Sequence, residues 1–468
     1  MRLVPSDDLA VLLNIINVNV SSIQQIYAKH GGTPIPSLSE PYKLLAFEPE
    51  LVDATNLVTA AATQLVAILR PPITSLLAAV GGQHITTSLG VAEAMNISEI
   101  LSEAGPIGLH ATEIAKKADT DASKIGRILR LLSTAHIFQE VAPNVFANNR
   151  LSSVLTSGKN IEEIKKDGMA NKYNKPGDPG FPALIGFFTD EVTKSGAYLR
   201  EYMTNPAECK SIDMAHTPFN IAFNTEGNMF TWFREPSNAS RLVRFNAAMR
   251  GSSNAGSITI LDAFDWNSVT DGVIVDIGGG IGSSSLMLAK EYSHLNIIVQ
   301  DTESVVKDGH AYWQREYTEA LSDGRVKLQT HDFFTPQPIK NAAVFFLRRV
   351  LHNWPAEEAK VILKALRASA TPNTKLILLE NIVPYAIVGL EQNTPGDEVP
   401  VLPAPLLPNL GAVNLQCYFA DMHMMLLLNS QERTLGDWTA LMDVTGWQLV
   451  DIKRVKADTM SSLIFRPV

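Results

Sequence analysis

The sequence predicts an α/β fold: a doubly wound, mostly parallel sheet in the C-terminal half, behind an α-rich N-terminal region. Three observations carry this. From about residue 258, short apolar runs alternate with helical segments. A glycine-bearing loop joins the first of those runs to the helix after it. Upstream, residues 107–150 follow the order helix, turn, helix, hairpin. The length of 468 residues allows two or three domains, at roughly 100–200 residues each. The divisions expected are a helical extension over 1–45, a helical and winged-helix domain with an insertion over 46–225, and a catalytic domain over 226–468.

Residues 8–30 carry helical apolar spacing in Leu9, Leu12, Leu13, Ile16, Ile23 and Ile26. The break TPIPSLSEP follows at 33–41. Residues 50–80 are rich in Ala, Leu and Val, and Pro71 and Pro72 split them into two helices. So few charges interrupt this stretch that it is expected to be buried, in a core or against a second subunit. ATEIAKKA (111–118) reads as a short helix. DASKIGRILRLLSTAHIF (121–138) reads as a second, with Asp121 as its N-cap. Phe138, Val141, Val145 and Phe146 then flank a Pro143–Asn144 turn, which completes a winged-helix shape. Residues 155–220 are polar and punctuated by Gly and Pro, an insertion with one helix near 186–203. Residues 228–250 lead by a helix into the next domain.

VIVDI (273–277), NIIVQ (296–300), RVKLQT (325–330), AVFFLR (343–348) and KLILLE (375–380) are the expected strands. Alternation with helices makes the sheet parallel and covers both its faces. A Pro-rich loop over 386–412, helices over 414–428 and 434–446, and an antiparallel edge pair (WQLVDIKRV, SSLIFRP) complete the chain.

Composition narrows the function. Lys and Arg total 39 against 48 Asp and Glu, a formal charge of -9. A duplex binder carries a basic surplus to neutralise phosphates, so nucleic acid is not the expected partner. Hydrophobic residues at 46% and charged residues at 19% describe a folded globular chain. Cys209 and Cys417 stand far apart, which is neither a disulfide framework nor a zinc cluster. Asp7 and Asp8 sit where a signal peptide wants positive charge. No run of about 18 uninterrupted apolar residues occurs, so no membrane span is expected. A reducing, cytoplasmic setting follows.

VIVDIGGGIGSSSLMLAK is the strongest chemical signal. Gly278, Gly280 and Gly282 follow Asp276 and precede a helix, so the backbone can turn tightly and approach a ligand. A dinucleotide fingerprint needs G-x-G-x-x-G, whereas the residue after Gly282 is Ser283. No P-loop lysine is present. An acid before the glycines suits a cationic amino-acid cofactor better than a pyrophosphate. Asp301 ends the next strand, where a carboxylate can accept ribose hydroxyls. Asp332 ends the third and is placed to accept from an adenine amino group, with Phe333 packing on the ring. A single such Asp would read as a loop cap. Three at successive strand ends favour the cofactor.

These residues resemble class I S-adenosylmethionine-dependent methyltransferases, whose fold is Rossmann-like. FLRRVLHNW (346–354), LLLENIVP (377–384) and NSQERT (429–434) look like the signatures of the plant-type small-molecule O-methyltransferases. ANNRLSS, DFFTPQP and ENIVPYA look most like the fungal branch, whose chemistry belongs to secondary metabolism. The resemblance implies S-adenosylmethionine (SAM) as cofactor, a small aromatic or polyketide-like acceptor, no metal, and a homodimer built through the winged-helix region. It places the catalytic histidine at His352, flanked by acids at Glu380 and Glu432, and a basic cofactor contact at Arg348. Phe245 and Met249 match, approximately, an aromatic and a methionine that clamp the acceptor ring in relatives. Met424 and Met425 are further wall candidates, although all four read equally well as helix core. Asn353 departs from the Asp common in this motif.

The chemistry agrees. A phenol is mostly neutral at pH 7, so a base titrating near neutrality contributes, typically about 10²–10⁴-fold. His352 fits that role, and a carboxylate would fix its tautomer. Two other readings are open at this level. Some methyltransferase-like fungal enzymes bind SAM yet catalyse dehydration or pericyclic reactions. Arg348 and Arg349, side by side, are the feature compatible with that. The winged helix could instead bind DNA, which the acidic balance opposes.

Overall fold

The computed structural model describes residues 8–29, 35–41, 49–168, 171–173, 180–255, 259–387, 402–454 and 460–468. Most of the expected 386–412 loop and part of the 155–220 insertion therefore lie outside the described residues.

Two helices open the chain, α1 (Asp8–Lys29) and α2 (Pro49–Leu69), and they pack against each other. They thus straddle the division expected at residue 45. Leu12, Ile15, Ala60 and Ala61 form their seam, together with Leu406 from the loop after the fifth parallel strand. Gln64 Nε2 adds a 2.8 Å hydrogen bond to the Pro405 carbonyl. By length and composition alone both helices are apolar enough to cross a membrane, although neither is an uninterrupted apolar run. The residues Asn14, Asn17, Asn19, Thr55, Thr59 and Thr63 interrupt the apolar runs without lowering the average enough to disqualify them. In each helix one face packs within the chain and much of the rest is exposed.

Pro71 and Pro72 break the helix as expected, and α3 (Pro72–Ala94) begins there with proline in its first turn. The first half of α3 is not buried within the chain: Ile73, Leu76, Leu77 and Val80 are all exposed. Its second half packs into a core formed with α4 (Ile97–Ala104), α5 (Ala111–Ala118) and α6 (Ala122–Thr134). Asp121 caps α6 by accepting from the Lys124 N–H at 2.9 Å. The wing consists of β1 (Leu109–His110), β2 (Gln139–Ala142) and β3 (Val145–Ala147), in the order β1-β3-β2. Arg130, on α6, is tied to Glu140 of the wing by two bonds at 3.0 and 3.1 Å. That guanidinium braces the hairpin. The insertion contributes Phe181–Phe187, a π-helical turn Phe188–Val192 and Thr193–Ala197, so its expected helix is a chain of short helical pieces.

The C-terminal half is built on a seven-stranded sheet in the order β6-β5-β4-β7-β8-β10-β9. Its strands are β4 (Val273–Ile277), β5 (Ile297–Asp301), β6 (Val326–Thr330), β7 (Ala342–Arg348), β8 (Lys375–Asn381), β9 (Trp447–Arg454) and β10 (Met460–Pro467). β4 to β8 run parallel and β10 pairs antiparallel with β8 and β9, as the edge runs predicted. Alternation along the strands feeds two cores. Val275, Ile277, Phe345 and Leu347 face helices carrying Leu363, Trp438 and Leu441. Ile274, Val344, Phe346 and Ile377 face Trp266, Leu286 and Trp313. Strand order reverses at β4, whose neighbours are β5 and β7. The carboxyl ends there form the crevice where such sheets hold ligands.

Candidate active site

The glycine loop leaves β4 at that crevice. Gly278, Gly280 and Gly282 all take positive φ, at +63°, +62° and +83°. Gly282 admits no side chain, since a Cβ would come within 2.5 Å of Trp313 Nε1. Around Gly280 the space is open, with no atom within 4 Å of such a Cβ, so the loop forms a cradle at that point. The Asp301 carboxylate anchors it: Oδ2 accepts from the Gly280 N–H at 2.9 Å and Oδ1 from the Thr302 N–H at 2.7 Å. Oδ1 also accepts from Thr302 Oγ1 at 3.3 Å, and Oδ2 keeps a lone pair for a further donor.

Asp276 lies buried beneath the loop and accepts from Ser285 Oγ at 2.6 Å. Burial, helped by the nearby Asp301 charge, pushes its carboxyl up to about 6, while the Ser285 bond and Arg348 pull the other way. A cation arriving above the loop would relieve that penalty. Arg348 ends β7 and reaches Ser284 Oγ at 3.3 Å, so it belongs to the floor of this crevice. Asp332 is exposed just past β6, and its Oδ1 caps the turn by accepting from the Phe334 N–H at 3.0 Å. Phe333 borders the loop, with its ring edge 3.3 Å from the position of a Gly278 Cβ, and meets Trp354 edge-on. An open glycine cradle with acids at two strand ends fits an adenosyl sulfonium.

His352 lies in a short 3₁₀ turn, Leu351–Asn353, just beyond β7. Its Nδ1 lies 2.8 Å from Glu432 Oε1. The carboxylate can only accept, so in the neutral ring Nδ1 carries the proton and Nε2 the lone pair. Among the described residues Nε2 has no hydrogen-bond partner. The imidazole side chain is 13% exposed, against 1% for Glu432. Glu380 Oε1 accepts from the backbone N–H groups of Val350 and Leu351, each at 3.0 Å. Its role is therefore to shape the turn rather than to bond the ring. One atom from each of the three side chains lies within 4.8 Å of the others. Their mutual and backbone hydrogen bonds account for that clustering.

Burial alone would depress the imidazole pKa. The Glu432 and Glu380 charges and the Nδ1 bond outweigh it and hold His352 above its ordinary value. Burial pushes Glu432 up, but His352 prevails and its carboxyl titrates below the usual range. Burial raises Glu380.

The NSQERT run holds more than the one acid singled out in the sequence. Ser430 Oγ donates to the His352 carbonyl. Arg433, buried and lying over the Trp438 ring, donates to the Leu351 and Trp354 carbonyls at 2.8 Å each. The segment thus ties down the turn around His352 through Ser430, Glu432 and Arg433. Glu432 does not cap the next helix; Thr434 does that. Asp421, on the helix Leu415–Leu428, accepts from the Glu432 N–H at 2.9 Å.

The expected wall residues lie on two helices. Phe245, on Ala239–Ala255, stacks on Phe233 at 4.7 Å and meets Phe187 edge-on. Met424 packs on the same aromatic cluster, Met425 is half-buried, and Met249 is exposed. His423 packs over Phe188 at 4.7 Å with no hydrogen bond among the described residues, and burial takes its pKa down to about 4. A separate open surface cleft beside the wing is lined by Arg130, His136 and Glu140.

Residues 211–448 match the O-methyltransferase domain model, and residues 78–158 match the O-methyltransferase dimerisation domain. The chain belongs to the O-methyltransferase family. An O-methyltransferase of Armillaria gallica is 38% identical over 456 residues, covering 95% of each chain. A 4-O-methyltransferase of Phanerochaete chrysosporium is 35% identical over 455 residues, again covering 95% of each. The solved structures of LepI in complex with SAM and of a protein described as a pericyclic reaction enzyme share the fold, each with TM-score 0.69 at 17% identity. Each covers 97% of this chain and 100% of its own. SAM is the cofactor of this O-methyltransferase, and its N-terminal region is a dimerisation domain.

Proposed function

We propose that this O-methyltransferase methylates a hydroxyl of a small aromatic or polyketide-like acceptor, with His352 as general base. The observation that carries the reading is the 2.8 Å bond from Nδ1 to Glu432, which in the neutral ring puts the lone pair on Nε2, where it can accept a proton. Asp276, the glycine loop, Asp301 and Arg348 would hold SAM, which supplies an activated methyl on a sulfonium. Nε2 takes the proton of the acceptor hydroxyl, so the oxygen attacks with alkoxide character. Glu432 steadies the imidazolium that forms, and Glu380 keeps the turn in place through the two N–H groups it binds. Phe245, Met249, Met424 and Met425 form the acceptor wall in this reading, and Asp332 and Phe333 the adenine end of the crevice.

The test is S-adenosylhomocysteine release with a panel of phenols. His352→Ala should lower turnover by about 10²–10⁴-fold while SAM affinity, read by calorimetry, barely changes. Near-full activity in that variant would remove the base assignment. Asp301→Ala should weaken SAM binding instead. The alternative is a dehydration or pericyclic reaction with SAM bound, and it predicts cofactor binding with no turnover across the panel. The paired arginines lend it little. Arg348 turns to Ser284 and Arg349 to Ser252, so they do not converge on one carbonyl. We further propose a homodimer and a cytoplasmic, reducing setting, which suits the two free cysteines Cys209 and Cys417.

A further inference from the structure

We propose that Arg349 is a positioning residue of this enzyme: it ties the Ala239–Ala255 helix and β10 to the catalytic turn and keeps the His352 imidazole ready to accept a proton. The inference rests on the reading of His352 as base and adds the group that tunes it.

Arg349 has φ +53°, the left-handed region that a side chain with a Cβ rarely adopts. Its neighbours enforce this. Its N–H donates to the Leu379 carbonyl at 3.1 Å, and its own carbonyl accepts from Asn353 Nδ2 at 3.1 Å. The backbone bend sends its side chain away from that of Arg348. Nη1 reaches Ser252 through both the hydroxyl and the carbonyl, the latter at 3.3 Å. Nε lies 3.2 Å from Met460 Sδ, at the start of β10. One guanidinium therefore joins three elements three residues before the base. Glycine would take this backbone without strain, but it would supply neither the anchor nor the charge.

The charge has a defined effect. Glu432, from the segment after the Leu415–Leu428 helix, and Glu380, from β8, both favour the protonated ring. Arg349 opposes them, and it also stabilises the Glu432 carboxylate. Arg433 offsets Glu380 from behind the turn, while Asp421 sits on the far side of Glu432. Without the Arg349 charge, Arg433 alone would offset the two acids and the ring would hold its proton to higher pH. Arg349 checks that drift.

The experiment compares Arg349→Met and Arg349→Lys with the wild type. kcat/KM is followed against pH with an accepted phenol, and the His352 ring is titrated by NMR. In the Met variant the acid limb and the NMR titration should both move to higher pH, with about a tenfold loss of rate per unit of displacement below the limb. Lysine should return both towards wild type, and SAM affinity should stay unchanged. Ser252→Ala should lower kcat at every pH without moving the limb. If Arg349→Met does not fold, Arg349→Gln, which retains a donor for Ser252, carries the same prediction. A His352 titration that does not move in the neutral variant overturns the proposal, even where the imidazole is confirmed as base. Loss of the base reading itself would show separately, as full activity in His352→Ala.

Discussion

At the scale of residues, two partly buried histidines, His352 and His423, are driven in opposite directions. His423 packs on the Phe188 ring, and burial takes its pKa down to about 4. His352 meets two carboxylates and titrates above its ordinary value. The acid limb of kcat/KM should therefore lie above pH 6.5 and belong to His352. His423→Gln should change acceptor KM and leave the limb in place; disappearance of the limb in that variant would transfer the titration to His423. Glu432→Gln should move the limb down, because the charge that favours the imidazolium is gone. It should also cut kcat by about 10²–10⁴-fold, since the tautomer is no longer fixed. Stability runs the other way. A raised folded pKa means that the protonated ring stabilises the fold below the unfolded value, and this is lost as pH rises through the folded one. The melting-temperature gap between wild type and His352→Gln should accordingly shrink as activity appears. The pairing of His352 with Glu432 was legible because both sit in contiguous runs that the family resemblance singles out. Ser430 and Arg433 were legible as letters in the same run, but not as partners of the His352 turn, because carbonyl contacts leave no pattern in side-chain type.

At the scale of elements, the strands were legible because parallel, doubly covered strands are continuous apolar runs, and β4 to β8 fall within a residue or two of those expected. The insertion was less so. Its π-helical turn places Asp190 and Glu191 side by side against Arg241 and Arg244 of the Ala239–Ala255 helix. Nothing in DEV near RLVR forecasts that pairing, because 50 residues separate the partners and the local charge pattern suits any solvated face. The clamp matters because the same helix carries Phe245 and, at its far end, Ser252. Burial opposes the Asp190 carboxylate, but bonds from Arg244 and Lys194 and the Arg241 charge hold it down to about 2. The sign follows: the stabilisation is present above the ordinary carboxylate range and is lost as pH falls through about 2. Asp190→Asn should thus cost on the order of 2 kcal/mol at neutral pH by denaturant unfolding, with the gap closing in acid. A gap that is constant from pH 7 to pH 3 would mean that shape, not charge, makes the contact.

At the scale of the whole molecule, the unresolved matter is what covers the first half of α3. The sequence showed that residues 50–80 want burial but not where, since one chain's pattern cannot distinguish its own core from another copy. Among the described residues, the chain buries Ala54, Ala60 and Ala61 but leaves the end of α2 and the first half of α3 uncovered. Val66, Ile68, Leu69, Ile73, Leu76, Leu77 and Val80 remain exposed, Leu77 by 64%. Exposed apolar patches of this extent mark interaction sites. This one runs directly into residues 78–158, which match the O-methyltransferase dimerisation domain. An isologous pairing would bury the same face of both copies and meet the need at once. Behind it, α2 docks on Leu406, Leu410 and Val413, in the loop that leads to the helix bearing Asp421 and His423. A partner on this face would hold α2, and through it that loop, over the acceptor side. Leu76→Glu combined with Leu77→Glu should give a monomer by light scattering. Both side chains are exposed, so the fold itself should survive. SAM affinity should hold, because the glycine loop is remote from α3, while acceptor KM should rise as the loop loses its backing. A dimer that persists with those charges in place would put the interface elsewhere and leave the stripe to another partner.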